Sequence, residues 1–197
     1  DDVIGTLATE AGKRGISTYM MTPDKDYGQL VSENVFMYRP KYGDKEFEVM
    51  GVEEVKAKFN IESPLQVIDM LGLMGDSSDN IPGCPGVGEK TAQKLIAQFG
   101  SIENLLSHST KLKGALKTKV ESNKEMITFS KFLATIKTDV PIELNMEELK
   151  KETPDEEALR KIFDEMEFRT LTERIFGREK KSTSTETPVP VQRSDAA

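Results

Sequence analysis

The sequence has no tryptophan, one cysteine and one histidine, and these shortages exclude several kinds of chemistry. A single thiol, Cys84, excludes an internal disulfide framework and is typical of a reducing compartment such as the cytoplasm. It lies in a glycine-rich turn where any small residue would suffice, so we assign it no nucleophilic role. His108 follows a serine in a polar stretch, which is typical of a surface residue rather than a catalytic base.

Long apolar runs are also missing, and no stretch approaches the roughly 20 residues that span a membrane. The first residues, Asp1-Asp2-Val3, lack the basic region and the apolar run of a signal peptide. We therefore expect a cytoplasmic location and no membrane partner. With 197 residues, of which 37% are hydrophobic, the chain can form one medium domain, or one domain with appendages.

Basic residues are outnumbered by acidic ones, 27 against 34, but they are locally concentrated. The net charge of −7 argues against binding of polyanions by the whole surface. Residues 81–124 nevertheless carry seven lysines against three glutamates, whereas residues 143–173 carry eleven acidic and five basic residues. A run of lysines is most often a solvated face, but this one includes a turn suited to phosphate. We therefore expect any nucleic-acid site to lie within residues 81–124.

The spacing of apolar residues predicts an α/β fold with a partial parallel sheet and helices, followed by a helical region. Strands are predicted over 16–22, 34–39 and 47–50, with a turn at Gly43-Asp44, and a further short strand over 142–144. Helices are predicted over 2–13, 52–59, 64–74, 89–99, the residues after Ser101, 115–135 and 155–168. We divide the chain into an α/β core (1–75), a helical region (76–176) and a Ser/Thr/Pro-rich, disordered linker to a further domain (177–197).

Three pairs of aspartates are spread through the chain, at Asp1-Asp2, Asp24/Asp26 and Asp76/Asp79. The first pair opens a helix, where the helix dipole favours anions. The second pair follows a predicted strand, where open α/β folds place their sites, and its members face one way if the backbone is extended. The third pair is adjacent on one face if its segment is helical.

Clustered carboxylates repel one another, and a divalent cation removes that repulsion. Oxygen ligands without cysteine or clustered histidine favour magnesium or manganese over zinc. Two such ions can activate water and stabilise the leaving oxygen in phosphodiester hydrolysis. Aspartates are also common helix caps and turn formers, and for any single pair that interpretation is the better one. The three pairs together favour metal, because the chain offers no other chemistry.

A turn with three glycines, Gly83, Gly86 and Gly88, precedes the helix predicted from residue 89. Glycine allows positive φ and adds no side-chain bulk, and the start of the helix offers free N–H groups to an anion. Val87, between two of the glycines, is expected to anchor the turn to the core. The pattern is neither a Walker loop nor a Rossmann fingerprint, and it predicts a phosphate site of another kind.

These segments resemble the 5′-nuclease (5′-3′ exonuclease) domain of bacterial DNA polymerase I, in the flap endonuclease superfamily, over about residues 1–177. The resemblance is carried by Asp1-Asp2-Val3-Ile4, by Thr22-Pro23-Asp24-Lys25-Asp26-Tyr27-Gly28-Gln29-Leu30, and by Gly75-Asp76-Ser77-Ser78-Asp79-Asn80-Ile81-Pro82-Gly83 with Gly86-Val87-Gly88-Glu89-Lys90-Thr91-Ala92. It implies that the last of these forms a helix–three-turn–helix DNA-binding element.

The resemblance implies a metal-dependent, structure-specific 5′-nuclease that acts on DNA in primer removal and repair. It implies two Mg²⁺ or Mn²⁺ ions held by the catalytic aspartates Asp1, Asp2, Asp24, Asp26, Asp76 and Asp79. It further implies contacts to the DNA backbone, with a monovalent cation at the turn as an option, from Gly83, Gly86, Gly88, Lys90, Thr91 and Lys94. The implied partners are a DNA duplex with a 5′ flap or nick and downstream polymerase domains.

In that family, further acidic ligands and a helical arch come from an N-terminal half that precedes the motif at Asp1. We therefore expect this chain to be the C-terminal part of the nuclease domain and to take the missing half as a partner. We also expect it to cleave little DNA alone and to expose apolar sheet surface.

Two other functions remain open on the sequence alone. One is a non-catalytic duplex-binding module in which the carboxylates only form turns, and binding of divalent ions distinguishes it from a nuclease. The other is an RNA-cleaving relative, which single-turnover assays on RNA and DNA would distinguish.

Overall fold

The computed structural model describes residues 1–40 and 47–177, which fall into two units, one formed by Asp1–Asn145 and one that begins at Met146. The turn predicted at Gly43-Asp44 lies outside the described residues. So does almost all of the predicted linker, of which only residue 177 is described. The domain boundaries drawn from the sequence stay a prediction.

The first unit contains a three-stranded sheet of β1 (Thr18–Met21), β2 (Val35–Pro40) and β3 (Phe47–Met50), in that order. β1 runs parallel to β2, and β2 runs antiparallel to β3. One face is buried against the core through Met20, Val35, Met37 and Met50. The other face leaves Tyr19, Met21, Phe47 and Val49 exposed. The predicted α/β fold with a partly parallel sheet is confirmed.

Helices pack on the buried face of this sheet. They are α1 (Asp2–Lys13), a 3₁₀ helix (Lys25–Leu30), α2 (Val52–Phe59) and α3 (Gln66–Met74), and the sequence predicted three of the four closely. The strand predicted over 16–22 is shorter than expected, and Asp24 and Asp26 follow it as predicted. α3 is the most apolar of these elements, with Val67, Met70, Leu71 and Leu73 fully buried. It therefore forms the centre of the core.

From residue 89 onwards, the regular elements among the described residues are helices, as the periodicity predicted. The elements in the first unit are α4 (Glu89–Phe99), α5 (Ile102–Ser107), a second 3₁₀ helix (Ser109–Lys111), α6 (Gly114–Ser122) and α7 (Lys124–Ala134). Ser101 caps α5 as predicted, because its Oγ accepts a hydrogen bond from the Asn104 N–H at 3.2 Å. Gly72 of α3 lets α7 approach closely, since an added Cβ would lie 3.0 Å from the Lys131 Cα.

The single helix predicted over 115–135 is wrong, because α6 ends before Asn123 and α7 begins after it. Asn123 leaves helical geometry, with φ −122° and ψ 23°. Its side-chain amide donates to the Lys119 carbonyl at 2.7 Å, and such a bond competes with the helical backbone ladder. The short strand predicted over 142–144 is also wrong, since these residues form no strand and pair with none in the part of the chain that the structure describes.

The second unit contains α8 (Glu156–Glu165) and α9 (Arg169–Phe176). Asp155 caps α8 by accepting a hydrogen bond from the Ala158 N–H at 3.0 Å. The helix predicted over 155–168 ends early because Glu167 adopts the left-handed conformation, with φ +56°. Within the described residues, the helices are too short or too polar to cross a membrane.

Candidate metal centre and nucleic-acid interface

Three of the predicted aspartates, Asp26, Asp76 and Asp79, meet in one cluster. Each offers a carboxylate oxygen, and these oxygens lie within 4.8 Å of one another. Asp26 lies in the 3₁₀ helix that follows β1, whereas the other two lie in the loop that follows α3. Residues that are far apart in the sequence therefore converge where one strand and one helix end.

The loop that carries Asp76 and Asp79 is closed on itself. The Asp76 N–H donates to the Ile81 carbonyl at 2.9 Å, and the Ile81 N–H donates to the Asp76 carbonyl at 2.7 Å. The Ser78 N–H donates to Asp76 Oδ1 at 2.8 Å, which forms an Asx turn inside the loop. The pair is thus brought together by a tight loop and not by the helical face that the sequence suggested.

The cluster is electrostatically strained without a cation. Burial raises the pKa of Asp26 to about 6, and repulsion by Asp24, Asp76 and Asp79 adds to the rise. An opposing charge comes from Lys25, whose ammonium forms an ion pair with Asp76 Oδ2. That hydrogen bond lowers the pKa of Asp76. One ammonium group therefore faces several carboxylates.

The residues present fit a hard cation. Asp26 is 6% exposed, and its Oδ1 is buried without a hydrogen-bond partner among the described residues. A buried carboxylate oxygen with no donor is costly unless something else satisfies it. Carboxylates at this spacing are the ligands that Mg²⁺ and Mn²⁺ prefer.

The remaining predicted ligands take different places. Asp1 and Asp2 line the same cleft of about 260 Å³ as Asp26 and Asp79. Asp1 Oδ1 accepts a hydrogen bond from the Tyr27 hydroxyl at 2.7 Å. Asp2 Oδ1 accepts one from the Lys137 N–H at 3.0 Å. The first pair is therefore beside the cluster but partly engaged by the protein itself.

Asp24 is used differently from its predicted partner. Its Oδ1 accepts a hydrogen bond from the Asp26 N–H at 3.0 Å and so caps the 3₁₀ helix. The sequence interpretation required an extended backbone to point both aspartates one way, and that condition fails because Asp26 is helical. Asp24 acts on the cluster through its charge, which raises the pKa of Asp26.

The glycine turn requires glycine at two of the three predicted positions. Gly83 and Gly86 have positive φ, at +63° and +72°, which disfavours other residues. Gly88 has φ −97°, and an added Cβ there would meet nothing within 4 Å, so the expectation that its backbone conformation requires glycine is wrong. Val87 is 3% exposed and anchors the turn as expected. Cys84 is buried beside it, and its N–H donates to the Leu73 carbonyl at 2.8 Å.

The predicted DNA contacts are mostly on the surface. Gly86, Gly88, Lys90 and Lys94 are exposed and Thr91 is half-buried at the start of α4, where no side chain caps the helix. Gly83 is instead buried, and its N–H donates to the Ser130 Oγ at 2.9 Å. Gly83 therefore holds the turn to α7, while the other residues face outward.

Residues that the sequence interpretation did not assign to the site also contribute. Lys119 Nζ donates to the Gly86 carbonyl at 3.4 Å, which adds a positive charge to the turn. Its only sequence signal was its membership of the seven lysines in residues 81–124. Lys25 lies between two predicted ligands, so its position was a signal for an ion pair. Ser130 had no such signal, and Gln29 was marked only by its place in the segment from Thr22 to Leu30 that carries the family resemblance.

Two family models match the chain in succession. The 5′-3′ exonuclease N-terminal, resolvase-like domain matches residues 1–60, and the 5′-3′ exonuclease C-terminal SAM fold matches residues 62–157. The chain belongs to the 5′-3′ exonuclease family. The resemblance to the 5′-nuclease domain of bacterial DNA polymerase I is thereby confirmed, and the described fold agrees with it.

The relatives are bacterial DNA polymerases. The chain is 46% identical to DNA polymerase I of Bacillus subtilis over 176 residues, which cover 89% of this chain and 20% of that protein. It is 40% identical to DNA polymerase I of Bacillus caldotenax over 190 residues, which cover 96% of this chain and 21% of that protein. The chain thus spans about a fifth of the length of the curated relatives it matches.

Solved structures of similar fold come from phage and from Rad2. T5 5′-exonuclease with bound zinc ions aligns with a TM-score of 0.59 at 19% identity, covering 68% of this chain and 48% of that one. A bacteriophage T5 flap endonuclease with DNA and metal ions aligns with a TM-score of 0.61 at 19% identity, and the alignment covers 70% of this chain and 49% of that one. The catalytic core of Rad2 aligns with a TM-score of 0.51 at 16% identity, and the alignment covers 88% of this chain and 60% of that one. These likenesses concern the fold.

Proposed function

We propose that this chain is part of a divalent-metal-dependent, structure-specific 5′-nuclease that hydrolyses DNA phosphodiesters in primer removal and repair. The observation that carries the proposal is the cluster of Asp26, Asp76 and Asp79, with its unsatisfied buried oxygen. Membership of the 5′-3′ exonuclease family supports the same chemistry.

The metal is proposed to be Mg²⁺ or Mn²⁺, with two ions in the complete domain. Asp26, Asp76 and Asp79 form the centre of the ligand set, and Asp1, Asp2 and Asp24 surround it. Bound ions of this kind supply an activated water and stabilise charge on the leaving oxygen. The protein's own part is to hold the carboxylates close together and to keep Lys25 as a counter-charge on Asp76.

DNA is proposed to bind through its backbone at the glycine turn. Gly86 and Gly88 expose main chain at the uncapped start of α4, an arrangement suited to a phosphate group. Lys90, Lys94 and Lys119 add positive charge around it, and a monovalent cation at the turn is a further option. Contacts of this type position a duplex without reading its sequence.

The wider context is also a proposal. Because the curated relatives are bacterial DNA polymerases of about five times this length, we propose polymerase domains downstream, an N-terminal half of the nuclease domain as a partner, and a cytoplasmic location beside the chromosome. The substrate is a duplex with a 5′ flap or nick. The 197-residue chain alone is expected to cleave little.

One observation favours a second candidate, a non-catalytic duplex-binding module. Asp24 caps a helix, Asp2 binds a backbone N–H, and Asp76 is paired with Lys25, so several carboxylates already have structural uses. This candidate leaves Asp26 Oδ1 unexplained, because that oxygen serves no cap, turn or ion pair.

The test is made in the full-length parent polypeptide with a 5′-flap DNA substrate, and with a matched RNA substrate. Asp76→Ala should abolish cleavage in Mg²⁺ and change duplex affinity by less than about twofold, since phosphate contacts and metal ligands lie on different residues. Asp164→Ala, an exposed aspartate of α8 in the second unit, is the matched control. Cleavage by Asp76→Ala at the wild-type rate would contradict the nuclease assignment.

A further inference from the structure

Gln29 is a buried polar residue whose hydrogen bonds join residues that line the acidic cleft. It lies in the 3₁₀ helix and is 4% exposed. Its Nε2 donates to the Asp26 carbonyl at 3.0 Å and to the Ala134 carbonyl at 2.9 Å. Its Oε1 accepts a hydrogen bond from the Ile136 N–H at 2.9 Å. One amide therefore binds three backbone groups from two distant parts of the chain.

These partners belong to two separate parts of the lining of one cleft. Asp26 comes from the 3₁₀ helix, and Ala134 and Ile136 come from the end of α7 and the segment after it. Both hydrogens of the amide are used, together with its oxygen, so most of its bonding capacity is spent on this span. A side chain that only filled space in the core would not need this match of donors and acceptors.

The rest of the 3₁₀ helix is held by other contacts. Gly28 packs against Val67 and Phe59, where an added Cβ would lie 3.4 and 3.5 Å from their side chains. The element is therefore attached to α3 and α2 by apolar packing, without the help of Gln29. What Gln29 adds is a direct link from the backbone of Asp26 to the segment after α7.

We propose that Gln29 is a positioning residue of the acidic cleft. By tying the Asp26 backbone to residues 134–136, it keeps the Asp26 carboxylate beside Asp76 and Asp79 despite the repulsion among them. The inference rests on the proposed function, because it concerns the ability of the same carboxylates to hold a cation. It adds a residue that touches neither metal nor DNA.

Terbium luminescence tests the inference on the 197-residue chain itself. Tb³⁺ is a hard cation that takes oxygen ligands, and it is excited through nearby tyrosine. Tyr27 binds Asp1 at the cleft, and the sequence has no tryptophan to interfere. Loss of residues that orient ligands typically costs about 10–100-fold in metal affinity. Gln29→Met, which keeps the length but loses the amide, should therefore raise the Tb³⁺ dissociation constant by at least about tenfold.

Two further variants separate positioning from stability. Gln29→Asn keeps the amide but is one methylene too short to reach its backbone partners at residues 26, 134 and 136 together. It should weaken Tb³⁺ binding in the same way. Ser109→Ala is the matched control, because Ser109 is also 4% exposed and loses one side-chain bond, to Glu121 at 3.1 Å. It should leave Tb³⁺ affinity unchanged. Hydrogen exchange at the Ile136 amide should speed up only in the Gln29 variants.

The outcomes are distinct. Saturable Tb³⁺ binding by the wild type, with equal affinity in folded Gln29→Met or Gln29→Asn, would overturn the positioning role alone. No saturable binding by the wild type would overturn this role and the assignment of Asp26, Asp76 and Asp79 as a cation site of this chain, whereas flap cleavage by the full-length parent tests the proposed function separately. If circular dichroism showed both Gln29 variants unfolded, Gln29 would be a residue of global stability and the inference would be wrong.

Discussion

Replacement of Asp26 by asparagine should stabilise the metal-free chain. The folded-state pKa of Asp26 is about 6, against 3.8 for an ordinary aspartate, because burial and neighbouring carboxylates disfavour its charged form. A rise of about two units corresponds to at most about 3 kcal/mol of destabilisation once the group is charged. Asp26→Asn removes that charge at nearly constant shape. We expect a gain of about 1–3 kcal/mol in the free energy of unfolding well above pH 6, in the presence of EDTA.

The direction with pH follows from proton binding. Between about pH 4 and pH 6 the folded wild type binds more protons at Asp26 than the unfolded chain does, so its stability falls as the pH rises through this window. The advantage of Asp26→Asn should therefore shrink on acidification and vanish below about pH 4.

Urea unfolding followed by circular dichroism, at several pH values, measures this difference. In Mg²⁺ the wild type should gain stability by binding the ion, and Asp26→Asn should gain less. Asp164→Asn, on the exposed surface of α8, is the control for a change of net charge. A variant no more stable than the wild type in EDTA above pH 6, or an advantage independent of pH, would refute the electrostatic reasoning.

Other substitutions test the turn, the DNA contact and a helix cap. Gly86→Ala should cost about 1–3 kcal/mol in urea unfolding, because φ is +72°, a backbone conformation that residues with a Cβ rarely adopt. Gly88→Ala should change stability by less than about 0.5 kcal/mol, and an equal cost for both variants would contradict the described turn. Lys90→Ala should weaken all duplex sequences alike and reduce the salt slope of log affinity by about one, whereas an unchanged slope would mean a merely solvated lysine. Ser101→Ala should lower stability by about 1 kcal/mol, and an unchanged urea midpoint would mean that the cap contributes nothing.

The sequence was most informative where local periodicity and packing agree. α4 was predicted to its ends, because Ala92, Leu95, Ile96 and Phe99 repeat at helical spacing and all four are buried. The cap at Ser101 was likewise predicted from a local pattern. Asn123 shows the limit, since asparagine is tolerated inside helices and its bond to Lys119 O depends on the rotamer it adopts.

The candidate site was predicted in composition but not in arrangement. The sequence indicated that aspartates would cluster, yet it gave equal weight to all three pairs. Which aspartates enter the cluster depends on the backbone conformation at two points. Asp26 lies in a 3₁₀ helix that Asp24 caps, and Asp76 lies in a loop closed by hydrogen bonds to Ile81. The positioning role of Gln29 could not be predicted, because two of its three partners, Ala134 and Ile136, lie more than a hundred residues further along the chain.

Cys84 makes the glycine turn observable in solution. It is the only thiol in the sequence, its side chain is 2% exposed, and burial raises its pKa. A thiol reagent reaches the sulfur only when the turn separates from α3, so the rate of labelling measures how often the turn opens locally. The same rate reports occupancy, because a duplex held at the turn would slow the reaction. The rate of alkylation of Cys84, followed by mass spectrometry, thus measures opening of the turn and its occupancy by a duplex without any engineered label.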